Sequence, residues 1–222
     1  MAKAPKSAKR KRVETLRLKK LCVVEEEVRA QGFFLIAGVD EVGRGPLAGP
    51  VVAAACLLPQ RYVLPGINDS KKLAEQERYL LYQELVRHPQ VFYGTGIVEA
   101  IEIDKLNIHR ASLIAMERAV KHLPMKPEFL LVDGKYVPET EIASESVVGG
   151  DQKVQAIAAA SVLAKVTRDH IMIGYDDLYP EYGFKHHKGY GTKRHKEAIE
   201  AHGYCPIHRM SFLGRKKHCQ EA

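Results

Sequence analysis

Four acidic residues lie at the edges of predicted secondary-structure elements, in three separate segments of the chain. Asp40 and Glu41 follow the apolar run FFLIAGV, Asp133 ends the run FLLVD, and Asp151 follows two glycines. A carboxylate pair at the end of a buried strand is costly unless a cation lies against it. Mg²⁺ and Mn²⁺ prefer oxygen ligands, and two such ions can activate a water and stabilise the leaving oxygen when a phosphodiester is hydrolysed. The pattern therefore favours a Mg²⁺ or Mn²⁺ site.

Each acid also has a structural interpretation. Asp133 precedes a glycine, a pair typical of a turn, and Asp151 has the residue type of a helix N-cap. Asp40 and Glu41 are harder to explain in this way, because adjacent strand residues point to opposite faces. Both reach one metal centre only if the strand ends or bulges there, which the following glycines allow. The sequence leaves open whether the three segments converge.

An arginine between two glycines, Gly43-Arg44-Gly45, follows the first acid pair. The loop lacks the lysine-serine or lysine-threonine ending of a phosphate-binding P-loop, and by itself it is typical of a turn. Because glycine lets the backbone approach a ligand closely, the loop could instead read a sugar hydroxyl beside the acidic centre.

Basic residues surround one aromatic ring, Tyr190, in the segment HHKGYGTKRH. This composition suits a nucleic-acid backbone, with the ring stacking on a sugar or a base, although a basic surface loop with an inward-packed tyrosine has the same pattern. Ser70 and Lys71, in the segment NDSKKL, are further candidates for phosphate binding or begin a surface helix. No histidine has a clear zinc-ligand spacing with a cysteine, so a zinc site is not expected.

Charge is unevenly distributed along the 222 residues, whose net charge is +7. Residues 1–20 hold nine lysines and arginines against one acid, residues 185–222 hold nine against three, and the segment between them is net negative. An acidic middle with basic ends suits a metal site beside a phosphate-binding surface, although any single charged run can also be a solvated face.

The composition indicates one globular domain, since 45% of the residues are hydrophobic. No apolar stretch is long enough to span a bilayer, and the basic N-terminus lacks the apolar core of a signal peptide. The four cysteines show no C-x-x-C spacing, which favours reduced, structural thiols. We therefore expect a cytoplasmic protein with no membrane partner.

Strand and helix patterns are interleaved along the chain, which indicates an α/β fold around a mixed sheet. Residues 1–12 are expected to be disordered. The predicted strands are 33–39 and 50–58, joined as an antiparallel hairpin, followed by 91–98 and 129–132. The predicted helices are 13–30, 74–87, 107–122, about 152–178, and 192–202.

Several motifs, in one order, resemble the ribonuclease HII family, the type 2 ribonucleases H, in its bacterial single-chain form. They run from about Phe34 to Phe212: GVDEVGRGPLAGPVV, NDSKKL, LLVDG, GGD, AAASVLAKVTRD, YGFKHHKGYGTKRH and PIHRMSF. The resemblance implies a ribonuclease H-like fold, with a mixed central sheet flanked by helices. Residues 31–222 would be the catalytic domain with a helical C-terminal part, after a basic extension, 1–30, that is partly disordered and then helical.

The resemblance also implies a two-metal endonuclease. Its members cut the RNA strand of RNA/DNA hybrids and nick 5′ of a single ribonucleotide in duplex DNA, leaving a 3′-hydroxyl and a 5′-phosphate. Nucleic acid is therefore the expected partner, and we expect a monomer. The residues that would bind metal are Asp40, Glu41, Asp133 and Asp151. Those that would recognise the ribose 2′-hydroxyl and the RNA–DNA junction are Gly43, Arg44, Gly45 and Tyr190.

Two other functions remain as alternatives. A type 3 ribonuclease H has the same fold, but such proteins usually carry a longer N-terminal domain and lack the arginine between these glycines. A non-catalytic nucleic-acid-binding module would use the acids structurally and would bind duplexes without metal or cleavage. The basic extension predicts salt-sensitive, sequence-independent duplex binding, or else it is a solubilising tail.

Overall fold

One mixed five-stranded sheet, in the order β3-β2-β1-β4-β5, forms the centre of the protein. The computed structural model describes the backbone of residues 6–213 and the side chains of residues 12–213. The strands are β1 (Ile36–Val42), β2 (Val51–Leu57), β3 (Phe92–Val98), β4 (Phe129–Asp133) and β5 (Ala143–Val147). The strands β1, β2 and β3 are antiparallel neighbours, whereas β4 pairs in parallel with both β1 and β5. The predicted mixed sheet and its first hairpin are confirmed.

Helices cover both faces of this sheet. They are α1 (Lys6–Leu21), α2 (Val23–Ala30), α3 (Glu75–Arg87), α4 (Ala100–Leu106), α5 (Ile108–Lys121), α6 (Gln155–Leu178), α7 (Phe184–His187) and α8 (Lys193–His202). Single 3₁₀ turns lie at Gly150–Gln152 and Met210–Phe212. None of the helices within residues 6–213 is long and apolar enough to cross a bilayer.

Strand β2 is buried on both faces, which explains its continuous apolar sequence VVAAACL. Alternate β2 residues pack with α6 on one face and with α5 on the other. Small side chains allow α6 to lie close to the sheet, and the closest approach is at Gly38 of β1. A Cβ on Gly38 would overlap the carbonyl carbon of Ala156, so any larger residue would push the first turn of α6 away. This contact sets the distance between α6 and the acid-bearing strand.

The N-terminal helices are packed onto the rest of the protein. The side chains of Leu18, Leu21 and Val28 are buried in the core. Glu25 in α2 accepts a hydrogen bond from the backbone N–H of Ala156 (2.9 Å), one of the free donors at the start of α6. Residues 6–12 belong to α1, so the prediction of disorder over residues 1–12 is wrong for them; residues 1–5 lie outside the described residues.

Several element boundaries differ from those predicted. Strand β1 continues through Asp40 and Glu41 to Val42, because β2 provides pairing partners as far as Val52. The helix predicted over 107–122 starts at Ile108, and α4 precedes it as a separate element. The strand β5 and the four-residue helix α7 were not predicted, since both are short and β5 (ASESV) has no apolar periodicity.

Candidate active site

Parallel pairing of β1 with β4 brings two of the predicted acids together. Val39 is the register partner of Val132, so Asp40 and Asp133 follow at the same edge of the sheet. Burial, and then the negative charges of Glu41 and Asp133, raise the pKa of Asp40 well above its usual value. The first two acidic segments therefore converge, as the metal-site interpretation requires.

The third segment joins them through a hydrogen bond. The backbone N–H of Gly150 donates to Oδ1 of Asp133 (2.6 Å), which fixes the 3₁₀ turn that carries Asp151. A Cβ on Gly150 would lie 2.5 Å from Cδ1 of Ile157, so only glycine fits this turn. Burial, and then Asp69 and Asp133, raise the pKa of Asp151. Val154 is the N-cap residue of α6, so the N-cap interpretation of Asp151 is wrong.

The carboxylate of Asp40 is held by a chain of hydroxyl groups. Ser161 of α6 hydrogen-bonds the Asp40 side chain, and its hydroxyl lies 2.8 Å from that of Ser70. Because the carboxylate can only accept, Ser161 donates to Asp40 and Ser70 donates to Ser161. Ser70 is only 2% exposed, so the structure gives it a supporting contact; a direct contact with substrate stays a prediction.

Two cationic side chains lie in the field of these acids. Nη1 of Arg44 is 3.3 Å from Oε1 of Glu41, in an ion pair that leaves Arg44 half exposed. Burial raises the pKa of Glu41, and Arg44 opposes that rise. Burial alone would lower the pKa of Lys71, but the surrounding carboxylates, Asp40 first among them, outweigh it and raise the pKa. Lys71 thus places an ammonium group beside the acids.

The donor set fits a hard divalent cation. All four predicted ligands offer carboxylate oxygens, and burial raises the pKa values of Asp40, Glu41 and Asp151 because it disfavours their charged forms. Within the described part of the chain, no three Asp, Glu, His or Cys side chains are already gathered into a metal-binding group. The negative charges of Glu41 and Asp133 act on Asp40, and that of Asp133 acts on Asp151, so the acids of the three segments belong to one cluster of charge.

The glycine loop lies next to the predicted aromatic residue. A Cβ on Gly45 would be 3.9 Å from Cε1 of Tyr190, so the loop and the ring form one surface beside Glu41. Tyr190 is 42% exposed, and the alternative of an inward-packed tyrosine is therefore wrong. Gly43 has a φ of +92°, a conformation that favours glycine, and a Cβ there would overlap the side chain of Arg168.

Two fully buried arginines, which the sequence reasoning missed, hold this surface from beneath. Arg168 donates to the carbonyl oxygens of Pro50 (2.9 Å), Lys188 (2.9 Å) and Ala48 (3.2 Å), which ties the glycine loop to the Tyr190 segment. Arg209 donates to the carbonyl oxygens of three residues in and after the loop: Gly49, Arg44 and Gly43. Burial lowers the pKa of Arg168 to about 10 and that of Arg209 to about 9. Their only sequence signal was their position in the motifs VTRD and HRMSF.

A fifth acid was also missed. Asp69 is buried next to Asp151, and after burial it is the largest cause of the raised pKa of Asp151. Its Oδ1 accepts from the backbone N–H of Lys71 (2.9 Å). Asp69 therefore links the NDSKKL segment to the turn that carries Asp151.

Comparison with known proteins identifies a matching family, relatives of similar sequence and a solved structure of similar fold. The profile of the family Ribonuclease HII matches residues 37–214. Ribonuclease HII of Desulfitobacterium hafniense is 50% identical over 200 residues, which cover 90% of this chain and 76% of that protein. Ribonuclease HII of Chlamydia abortus is 52% identical over 190 residues, which cover 86% and 89%. The crystal structure of ribonuclease H2 from Pyrococcus horikoshii OT3 has a TM-score of 0.69 and 28% identity, covering 79% of this chain and 92% of that one. The predicted ribonuclease H-like fold is confirmed.

Proposed function

The chain belongs to the ribonuclease HII family and is a ribonuclease H-type endonuclease, and on that premise we propose that it nicks duplex DNA 5′ of single embedded ribonucleotides. We propose that it also cleaves the RNA strand of RNA/DNA hybrids, leaving a 3′-hydroxyl and a 5′-phosphate. Both reactions hydrolyse a phosphodiester next to a ribose.

One observation carries this proposal: the acidic centre adjoins the surface formed by the glycine loop and Tyr190, through the ion pair between Glu41 and Arg44. Asp40 in β1 lies beside Asp133 at the end of the parallel strand β4, while the ion pair between Glu41 and Arg44 leads directly into the glycine loop. A phosphodiester at the acids would therefore bring its neighbouring sugar to the loop and to Tyr190.

Divalent Mg²⁺ or Mn²⁺ is the proposed cofactor, held by Asp40, Glu41, Asp133 and Asp151. A metal ion bound there would polarise a water and stabilise the charge on the leaving oxygen. Other residues of the chain orient these carboxylates and add positive charge beside them. Ser161 orients Asp40, and the Gly150 N–H orients Asp133. Lys71 adds a fixed positive charge that attracts the scissile phosphate.

Recognition of the sugar is assigned to the glycine loop and Tyr190. Gly45 has no side chain between its backbone and a bound ribose, and the positive φ of Gly43 shapes the loop before it, so main-chain groups can hydrogen-bond the 2′-hydroxyl. The exposed ring of Tyr190 can stack on the sugar or base beside it. Arg168 and Arg209 hold both parts from below, which keeps the recognition surface rigid.

We further propose that residues 31–222 form the catalytic domain and that residues 1–30 are a basic extension. The nine lysines and arginines of residues 1–20 support non-specific attraction to duplex phosphates. We also propose that the enzyme acts as a monomer.

The test is a DNA duplex with one ribonucleotide, labelled on that strand, incubated with Mg²⁺, Mn²⁺ or EDTA. A metal-dependent nick 5′ of the ribonucleotide supports the proposal. Cleavage of a long hybrid without that nick would favour a type 3 activity. Duplex binding with no cleavage of either substrate would favour a non-catalytic binding module.

A further inference from the structure

Three histidines form a buried cluster under the Tyr190 segment, apart from the acids. His187, His195 and His208 are 9%, 0% and 3% exposed. Nε2 of His195 lies 3.1 Å from Nε2 of His208, and the rings of His187 and His195 stack with centroids 4.5 Å apart. Two imidazole nitrogens at hydrogen-bond distance require one N–H and one bare nitrogen.

Neighbouring backbone groups decide which nitrogen carries each proton. Two backbone groups of Cys205 lie near Nδ1 of His208, the N–H at 2.9 Å and the carbonyl oxygen at 3.2 Å. That carbonyl oxygen already accepts from the backbone N–H of His208 (3.0 Å), so the closer contact, donation from the Cys205 N–H, is favoured at Nδ1. Nδ1 of His208 is then bare and its Nε2 is protonated. Nδ1 of His195 lies 3.0 Å from the carbonyl oxygen of Tyr190, which can only accept, so Nδ1 of His195 is protonated and its Nε2 is bare. The two rings then form one directional chain, from Cys205 N–H through His208 and His195 to the Tyr190 carbonyl.

His187 holds the same segment from its other end. Its Nδ1 accepts from the N–H of Gly189 (3.2 Å), and its Nε2 lies 3.0 Å from the carbonyl oxygen of Tyr182. The backbone N–H of Tyr190 donates to the carbonyl oxygen of His187 (2.9 Å). Both backbone polar groups of Tyr190 are therefore engaged. Its carbonyl oxygen accepts from the backbone N–H of Thr192 (2.8 Å) as well as from His195, and the histidine rings provide the contact that links this carbonyl to the Cys205 segment.

Burial favours the neutral rings that this chain needs. It lowers the pKa of His208 to about 4 and also lowers the pKa values of His187 and His195. Two charged rings would point N–H groups at each other over 3.1 Å, so the bond between the rings persists only while at least one of them is neutral.

The Tyr190 ring is partly exposed and lies between Gly45 and the guanidinium group of Arg168, whose Cζ is 6.0 Å from the ring centroid, so the position of the ring also depends on the backbone that carries it. We propose that His195 and His208 are positioning residues that fix the Tyr190 backbone and thereby hold the ring beside Gly45, where it can contact a bound ribose. This inference rests on the proposed function, since Tyr190 is taken as the residue that contacts the nucleotide. Neither histidine touches the substrate.

Kinetics on the full-length enzyme test this role by asking whether the losses in kcat/KM caused by two single substitutions combine fully in the double variant. With the single-ribonucleotide duplex, His195→Ala should lower kcat/KM at least about tenfold, and Tyr190→Ala should do the same. In the Tyr190→Ala background, His195→Ala should cause less than about a twofold further loss, because both changes remove one function. Multiplicative losses would overturn the proposal. His202→Ala, an exposed histidine on the same helix α8, is the matched control and should match the wild type.

A second variant and a second readout remain decisive if His195→Ala unfolds or the wild type does not nick. His195→Asn keeps a donor near the position of Nδ1 and should recover most of the lost kcat/KM, whereas loss equal to that of the alanine variant would count against the chain. Imidazole ¹⁵N shifts at pH 7.5 should show His195 protonated at Nδ1 and His208 protonated at Nε2. The opposite tautomers would overturn the proposal, while absence of nicking by the wild type would overturn the proposed function alone.

Discussion

Arg209 donates a hydrogen bond from Nη2 to the carbonyl oxygen of Gly43 over 2.6 Å, although the two residues are 166 positions apart in the chain. The same guanidinium group binds the carbonyl oxygens of Arg44 (3.0 Å) and Gly49 (2.8 Å). One planar side chain thus sets the path of the whole glycine loop. The loop's shape depends on a residue near the end of the chain as much as on its own glycines.

Replacing Arg209 by lysine should disturb the loop without removing the charge. A lysine ammonium group cannot reproduce the flat fork that reaches three carbonyl oxygens, so we expect a loss of about 1–3 kcal/mol in the free energy of unfolding. A loop displaced by about 1 Å should lower kcat/KM on the single-ribonucleotide duplex by about 10²-fold. Urea denaturation and steady-state kinetics would measure both. Arg110→Lys, at a half-exposed ion pair, is the control, and equal behaviour of the two variants would contradict the loop's dependence on Arg209.

Replacing Asp133 by asparagine should separate catalysis from folding. The asparagine side chain keeps an oxygen that can accept from Gly150 N–H, so the turn that carries Asp151 should persist. Loss of the negative charge removes several kcal/mol of metal-bound stabilisation, and cleavage should fall by at least about 10³-fold. Circular dichroism and single-turnover cleavage would report the two effects. Asp177→Asn, on the exposed face of α6, should cleave normally, and a cleaving Asp133→Asn enzyme would refute the metal assignment.

The sequence predicted most of the sheet because apolar runs and turn residues are local signals. It could not show that Asp40 meets Asp133, since that contact comes from parallel pairing across about 90 residues of chain. Strand β5 escaped prediction because its ASESV sequence lies at a sheet edge, where burial imposes no apolar pattern.

The supporting residues of the site were missed for a related reason. Arg168 and Arg209 bind backbone carbonyls far away in the sequence, and His195 binds one five positions away. A contact to a carbonyl does not depend on the partner's side chain, so it leaves no signal in the sequence. Ser70 was noted as a phosphate ligand because its neighbour is Lys71, but its partner Ser161 is 91 residues away. The residue types in the sequence indicated metal and phosphate binding. The contacts that position these residues join distant parts of the chain and are visible only in the folded structure.

The contact between Glu25 and Ala156 predicts that the extension contributes to stability. Glu25→Ala removes the acceptor that satisfies a free N–H at the start of α6, which should cost about 1–2 kcal/mol in the free energy of unfolding. Glu26→Ala changes the neighbouring, largely exposed glutamate of α2 and serves as the control. Chemical denaturation of both variants would measure the difference. Equal stability would mean that α2 does not support α6.

The raised pKa of Asp40 predicts that its carboxylate destabilises the folded protein when no metal ion is bound. Its raised pKa means that the folded protein holds this proton more tightly than the unfolded chain, whose aspartates titrate near 3.9. The contribution of Asp40 to stability is therefore fully present below about pH 4 and is lost as the pH rises through the raised pKa. Asn cannot ionise, so Asp40→Asn should melt at least about 2–4 °C above the wild type in EDTA at pH 8. Mn²⁺ should raise the melting temperature of the wild type alone, and a variant less stable than the wild type in EDTA would contradict the electrostatic account.

The histidine chain predicts a loss of stability in mild acid. Unfolded histidine takes up a proton near pH 6.5, whereas the pKa of folded His208 is about 4. Its contribution is thus present above pH 6.5 and is lost as the pH falls toward 4. The pKa values of Asp40, Glu41 and Asp151 are raised, so their own contribution to stability grows as the pH falls. The informative quantity is therefore the difference between the wild type and His208→Gln, which cannot ionise there. Urea midpoints in EDTA at pH 7.5, 6 and 5 should show the advantage of the wild type shrinking as the pH falls. A difference that does not change with pH would mean that His208 is not buried as a neutral ring.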